Sequence, residues 1–248
     1  MDIRKQIGEE LLLFDGAMGT MLQAYGMKAG QNPEALNLED PELLGRIHRE
    51  YVEAGAQFIT TNTFGANAYK LEETGYSVTE VITAAVEIAK TATAGTEAKV
   101  ALDIGPVGKM MKPIGLLDFD QAYDYFREQV MIGAAAGADL ILIETMSDLA
   151  EMRAAVLAAK ENSDLPIFAT MTFTEDGNTL TGTEPEIMAL SLDALGVDVL
   201  GVNCSLGPKE LIPIIKRILA FTNTPVMVQA TLAIASAALP SLSEIVAR

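Results

Sequence analysis

Short apolar runs punctuate the chain at Leu11–Phe14, Phe58–Thr61, Val100–Ile104, Leu140–Ile143, Ile167–Thr172, Val197–Val202 and Val226–Gln229. They lack the alternation of a half-wet strand, so each reads as a strand covered on both faces, as in a parallel sheet. The stretches between them are helical in pattern. DPELLGRIHREYVEAG, residues 40–55, puts Leu43, Leu44, Ile47 and Tyr51 on one face, with Asp40 as N-cap and Pro41 at the first helical position. SVTE at 77–80 and TEPE at 183–186 both have capping-box spacing, and Ser147 stands where it would cap a helix running to about Lys160. EAGAQFI, AAGADLI and ALGVDVL each end a helix at a glycine and enter a strand.

Repeated strand–helix alternation predicts an α/β protein, as a (β/α)8 TIM-type barrel or, failing that, an open doubly wound sheet. The residues just after the runs favour the barrel. Polar or glycine-bearing clusters come after nearly every one: Asp15-Gly16, Thr61-Asn62, Gly105-Pro106, Glu144-Thr145, Thr172, Asn203-Cys204 and Gln229. A barrel gathers all those ends on one rim, whereas an open sheet uses mainly its switch point. No GxGxxG comes after the first run and no Walker sequence is present, so nucleotide binding has no support.

Composition narrows the picture. The 248 residues are 50% hydrophobic, enough for one large core. The formal net charge of −17 argues against nucleic acid and anionic membranes as partners. The N-terminal MDIRKQIGEE is too charged for a signal peptide, and no apolar run approaches the roughly 20 residues of a membrane span. A single cysteine excludes an internal disulfide and suits a reducing compartment, so a cytoplasmic location is expected.

Several residues are candidates for chemistry. In DGAMGT, 15–20, two glycines let the backbone approach a ligand, or they simply make a βα turn. Asn62 either bonds a ligand or ties its loop, the commoner use of a lone asparagine. Glu144 closes ADLILIE, where a carboxylate is desolvated and calls for a cation. That cation is a ligand ammonium or a barrel lysine or arginine, and few basic residues lie near strand ends. Cys204 reads as a small residue or as one member of a set completed elsewhere. His48, the only histidine, lies within a helix, which leaves Ser–His and Cys–His catalysis without a basis. No lysine sits directly at a predicted strand end, so a Schiff-base enzyme is disfavoured. The methionines read as core filling, and the Met110-Met111 pair in a loop has no evident role.

Taken in order, DGAMGT (15–20), TNTFGAN (61–67), DIGPVG (103–108), IETMSD (143–148), MTFTEDGNTLTGT (171–183) and GVNCSLGP (201–208) resemble the homocysteine S-methyltransferase family. The likeness is greatest to the homocysteine-binding modules that work beside folate- and cobalamin-binding modules. It implies a (β/α)8 barrel and methyl transfer to the thiol of L-homocysteine, giving methionine. It also implies a zinc ion on three cysteine thiolates, with the substrate thiol as fourth ligand and activated by the metal. By resemblance, Cys204 stands at the first zinc-ligand position and Glu144 at the glutamate that binds the substrate amino group. Asp15, Gly19 and Thr20 fall in the turn that closes the amino-acid pocket, and Asn62 and Asn203 at further substrate-binding positions. Cobalamin and methyltetrahydrofolate are implied only through other modules, in cis or in trans.

The resemblance fails at the C-terminus. The family's remaining zinc ligands are an adjacent cysteine pair at the end of the last strand, and this chain has no second cysteine. After Gln229 comes ATLAIASAALPSLSEIVAR instead of a Pro-Asn-Ala-Gly stretch. The expectation is a partial homocysteine-binding barrel over 1–229, with its last βα unit missing or replaced, and an alanine-rich tail over 230–248. A frameshift near codon 229 and a truncated gene are rival origins. An incomplete zinc site leaves a non-catalytic remnant or amino-acid-binding module as the alternative function. Unpaired edges on the first and last strands would lower stability relative to an intact relative.

Overall fold

The computed structural model describes residues 3–231. Beyond Thr231 the expected tail lies outside the described residues. The elements are α1 (Ile3–Gln6), α2 (Met18–Ala24), α3 (Leu36–Glu39), α4 (Pro41–Glu53), β1 (Phe58–Thr60), α5 (Ala68–Leu71), α6 (Val78–Thr93), β2 (Lys99–Ile104), α7 (Phe119–Ala136), β3 (Leu140–Met146), α8 (Leu149–Asn162), β4 (Ile167–Met171), α9 (Pro185–Leu195), β5 (Val199–Asn203), α10 (Pro208–Leu219) and β6 (Val226–Gln229). The six strands form one parallel sheet in chain order, β1 to β6.

The sheet is curled. Phe58 on β1 and Phe168 on β4 lie three strands apart, about 14 Å along a flat sheet, yet their ring centroids are 6.3 Å apart. Phe14 stacks on Phe58 at 4.7 Å and reaches within 5.8 Å of Phe168. Around this aromatic trio the inner face carries Ala101, Leu140, Leu142, Val199 and Met227, with Ile3 of α1 packed among them. The outer face turns Leu102, Ile104, Ile141, Ile143, Ala169, Leu200 and Val202 toward the helices. Both faces of the wall are therefore dry, which is why these strands read as unbroken apolar runs. The fold is α/β, a curled parallel wall of the kind an incomplete TIM-type barrel presents.

Local sequence accounts for most element ends. The Asp40 side chain accepts from Leu43 N at 3.1 Å, with Pro41 opening α4. Ser77 and Glu80 make the full capping box of α6, with Glu80 N donating to Ser77 Oγ at 3.2 Å and Ser77 N to Glu80 Oε2 at 3.0 Å. Gly55, Gly137 and Gly196 all take positive φ after α4, α7 and α9, a region that favours glycine. His48 is buried in α4 with Nδ1 unpartnered, and burial pulls its pKa down to about 4, so it is a neutral structural residue.

Three expectations are corrected. Leu11–Phe14 is not a strand. It runs beside β1 through Leu13 O, which accepts from Gln57 N (2.8 Å) and Phe58 N (3.1 Å), and through one isolated bridge, Phe14 to Phe58. Leu11 and Leu13 are 64% and 50% exposed, because among the described residues nothing pairs with this margin on its far side. Ser147 does not cap α8. The helix starts one residue later than that cap requires, and Asp148 accepts from Ala150 N at 2.7 Å. TEPE makes no capping box, since the Glu186 carboxylate is held by Arg217 at 2.6 Å to each oxygen. No helix among the described residues is long and apolar enough to cross a membrane.

Candidate functional site

Side chains alternate faces along a strand, so the residue two beyond each inner apolar residue points inward one layer higher. Above Phe58, Ala101, Leu142, Phe168 and Met227 these residues are Thr60, Asp103, Glu144, Thr170 and Gln229. Asn203 of β5 pairs with Gln229 in register and lies two beyond Gly201. A polar ring thus closes the apolar interior at the C-terminal ends of the strands, and Asp15 joins it from beside β1.

The ring is rich in carboxylates and poor in cations. Asp15 accepts from Thr60 N at 2.9 Å and from Thr60 Oγ1. Burial still raises its pKa to about 7, with Glu144 adding to the rise and the Thr60 hydrogen bonds opposing it. Burial also lifts Glu144 to about 7. The ion pairs found among the described residues do not include Glu144. Asp103 is buried, and desolvation followed by the charges of Glu144, Asp15 and Glu34 holds its carboxyl well above the usual range, with Lys70 opposing.

Asn203 ties the site together. Its Oδ1 accepts from Thr145 N and Thr170 Oγ1, both at 2.9 Å. Its Nδ2 donates to Thr145 Oγ1 at 2.7 Å, Glu144 Oε2 at 3.3 Å and Cys204 Sγ at 3.6 Å. Thr145, Cys204 and Ser205 are non-glycine residues at φ of 59°, 57° and 57°. Such backbone costs on the order of 1 kcal/mol or more per residue and must be held by its surroundings. The Asn203 amide holds Thr145, while Gln229 O accepts from Cys204 N at 3.0 Å and Ser205 Oγ meets Thr172 Oγ1 at 2.6 Å. The Cys204 thiol is exposed, yet burial of its surroundings, Glu144 and Asp103 raise its pKa against a hydrogen bond from Thr145. It is a neutral thiol.

The remaining candidates make other contacts. Asn62 Nδ2 donates to Pro33 O at 2.7 Å, and its carbonyl accepts from Asn37 Nδ2 at 2.8 Å, so it ties loops. Gly19 and Thr20 do not form a turn. They lie in the first half of α2, where Thr20 is exposed and the space beside Gly19 is open. Asp103 is inconspicuous in the sequence, because it lies inside the run Val100–Ile104, whereas Glu144 closes its run. The Gly105-Pro106 pair just beyond it is the more conspicuous feature of that stretch.

The residues present do not fit a three-thiolate zinc site. The chain has one cysteine, its surroundings disfavour the thiolate, and no group of three or more His, Cys, Asp or Glu among the described residues is disposed to hold a metal.

Comparison with known proteins gives concordant results. A family model described as homocysteine S-methyltransferase matches residues 12–242. Methionine synthase of Mycobacterium leprae is 30% identical over 92% of this chain, and that of Mycobacterium tuberculosis is 31% identical over 92%. The chain spans 20% of the length of each of these relatives. The crystal structure of the homocysteine methyltransferase MmuM from Escherichia coli in its metallated form superposes with a TM-score of 0.79, covering 89% of this chain and 83% of that one at 24% identity. At that identity the likeness speaks for the fold.

Proposed function

From the premise that this chain belongs to the homocysteine S-methyltransferase family, we propose that it is the homocysteine-binding module of a methyl-transfer enzyme, built on a (β/α)8 barrel. The observation that carries this reading is Glu144. It is a desolvated carboxylate at the end of an apolar strand, without a lysine or arginine partner among the described ion pairs. A ligand ammonium supplies the missing charge and returns Glu144 to its ionised form. Backbone N–H groups of residues 16–20 are the groups available for the ligand carboxylate, and the ligand side chain then runs along the rim toward Cys204.

In this reading the chain's own residues bind and orient. Asn203 fixes Glu144 and the Thr145–Cys204 backbone, so the amino-acid end is anchored on packed strands rather than on loops. The methyl donor comes from outside the chain, by way of folate- and cobalamin-binding modules in cis or in trans. The donor set present does not fit the family's three-thiolate zinc ion. One specific observation favours a second reading, an amino-acid-binding module without catalysis: the single, neutral thiol of Cys204.

The test is calorimetric titration of the full chain with L-homocysteine, with and without added zinc. Saturable binding is expected, with a loss of about tenfold or more in Glu144→Gln. Absence of binding would sink the proposal. One zinc retained per chain after gel filtration would return the metal-dependent reading and exclude the second one.

A further inference from the structure

Asp103 is the most deeply buried acid of the rim, 7% exposed, and its main chain is fully committed. Its N donates to Thr61 Oγ1 at 3.1 Å, and its carbonyl accepts from Thr63 Oγ1 at 2.7 Å. These bonds fix where the side chain starts. Its register with Leu142 puts it on the inner face, on the strand next to Glu144 and two residues below it along the ladder. Yet Oδ1 has no hydrogen-bond partner. Buried carboxylate oxygens are ordinarily paired, and an unmatched one is destabilising.

The nearby cation does not pair with this oxygen. Lys70 Nζ donates to Pro106 O at 2.8 Å and lies over the Phe64 ring at 5.2 Å to the centroid. The other charges around Asp103 are Glu144, Asp15 and Glu34, all acidic. A buried, unpartnered acceptor whose neighbouring acids are Glu144, Asp15 and Glu34 has one natural complement, a small cationic donor with several N–H groups. An ammonium has three donors and no acceptor, so it can satisfy more than one oxygen at once. Glu144 alone leaves part of that donor capacity unused.

We propose that Asp103 is a second receptor for the α-ammonium of the bound amino acid, its Oδ1 and the Glu144 carboxylate gripping that group from adjacent strands. The proposal rests on the reading of the rim as an amino-acid site, and assigns to it a specificity-determining residue. It makes the site selective for a free, charged α-amine. Ligands lacking that amine, or carrying it acylated, leave Asp103 unpaired.

The experiment compares the full wild-type chain with Asp103→Asn and Glu144→Gln, titrating L-homocysteine and its desamino analogue, 4-mercaptobutanoate. Asp103→Asn is expected to weaken L-homocysteine by about tenfold or more, as Glu144→Gln does, while leaving the weaker 4-mercaptobutanoate unchanged. Equal weakening of both ligands makes Asp103 merely structural and overturns the proposal. Loss with Glu144→Gln but none with Asp103→Asn overturns it while the amino-acid site survives. No binding of L-homocysteine to the wild-type chain overturns both. Should Asp103→Asn fail to fold, a crystal structure of the wild type with L-homocysteine decides. The ligand nitrogen is expected within about 3.2 Å of Asp103 Oδ1, and a nitrogen held only by Glu144 or Asp15 overturns the proposal.

Discussion

The middle of the wall and its margins are made of the same kinds of residue and have different fates. Along β2, β3 and β4, nearly every position is buried. Along β6, whose VMVQ is as apolar, every position is only half-buried, and Leu11 and Leu13 at the opposite margin are largely exposed. The difference is not composition but neighbours. A strand in the middle has a paired strand on each side and a helix behind. Among the described residues, β6 pairs only with β5, and Leu11–Phe14 only touches β1. Hydrophobicity makes burial favourable, and topology determines how much of it is realised.

Cutting into the middle gives the largest effect. Phe168→Ala removes the ring that joins β4 to Phe14 and Phe58 across the interior, and should destabilise by about 3–5 kcal/mol in urea unfolding. A loss near 1 kcal/mol would mean that the aromatic trio is not a closed core and that the contrast with the margin is unfounded.

The same burial makes the top of the wall hard to ionise. Glu144 rises from an ordinary 4.5 to about 7, and Asp15 from 3.8 to about 7, chiefly by desolvation. A carboxyl whose folded pKa is raised prefers to be protonated in the fold. Its contribution is fully present below the unfolded value and is lost as pH rises through the folded one. His48, pulled down from 6.5 to about 4, acts in the opposite sense, losing stability as pH falls. It is common to both proteins compared, so it cancels. Glu144→Gln should therefore melt higher than the wild type by on the order of 10 °C near pH 8, with the difference closing toward about pH 4. A difference independent of pH would remove desolvation as its cause.

The smallest effect belongs to the margin. Val228→Ala, in half-buried β6, should cost about 1 kcal/mol or less by the same urea assay. A cost rivalling that of Phe168→Ala would show that β6 is as enclosed as the middle strands.

This contrast explains what the sequence could tell. The middle strands were legible because two-sided burial writes itself as an unbroken apolar run. Leu11–Phe14 has the same pattern, and only its missing neighbour distinguishes it, which no local window records. The Asp40 and Ser77 caps were legible because their partners lie three residues away. The TEPE box was not, because Glu186 is claimed by Arg217, 31 residues distant. In the candidate site, Glu144, Asn203 and Cys204 stood out by closing their runs. Asp103 was hidden inside VALDI, where one acid among apolar neighbours looks incidental until strand register places it one strand from Glu144. The helical setting of Gly19 and Thr20 and the loop-tying bonds of Asn62 depend on tertiary contacts that motif spacing does not carry.

The irregularity in β3 bears on chain length. Ile143 pairs with Ala169 and Met146 with Met171, three steps on one strand against two on the other. Thr145, at φ 59°, is the surplus residue of a β-bulge. A sequence one residue shorter here would restore an even ladder and keep Ile143 and Met146 facing the helices and Glu144 facing inward. What it would lose is the Thr145 N–H and hydroxyl that engage the Asn203 amide. A deletion that an alignment would score as a harmless gap would leave the wall standing and unfasten the rim, so the length of this segment carries information that its residue types do not.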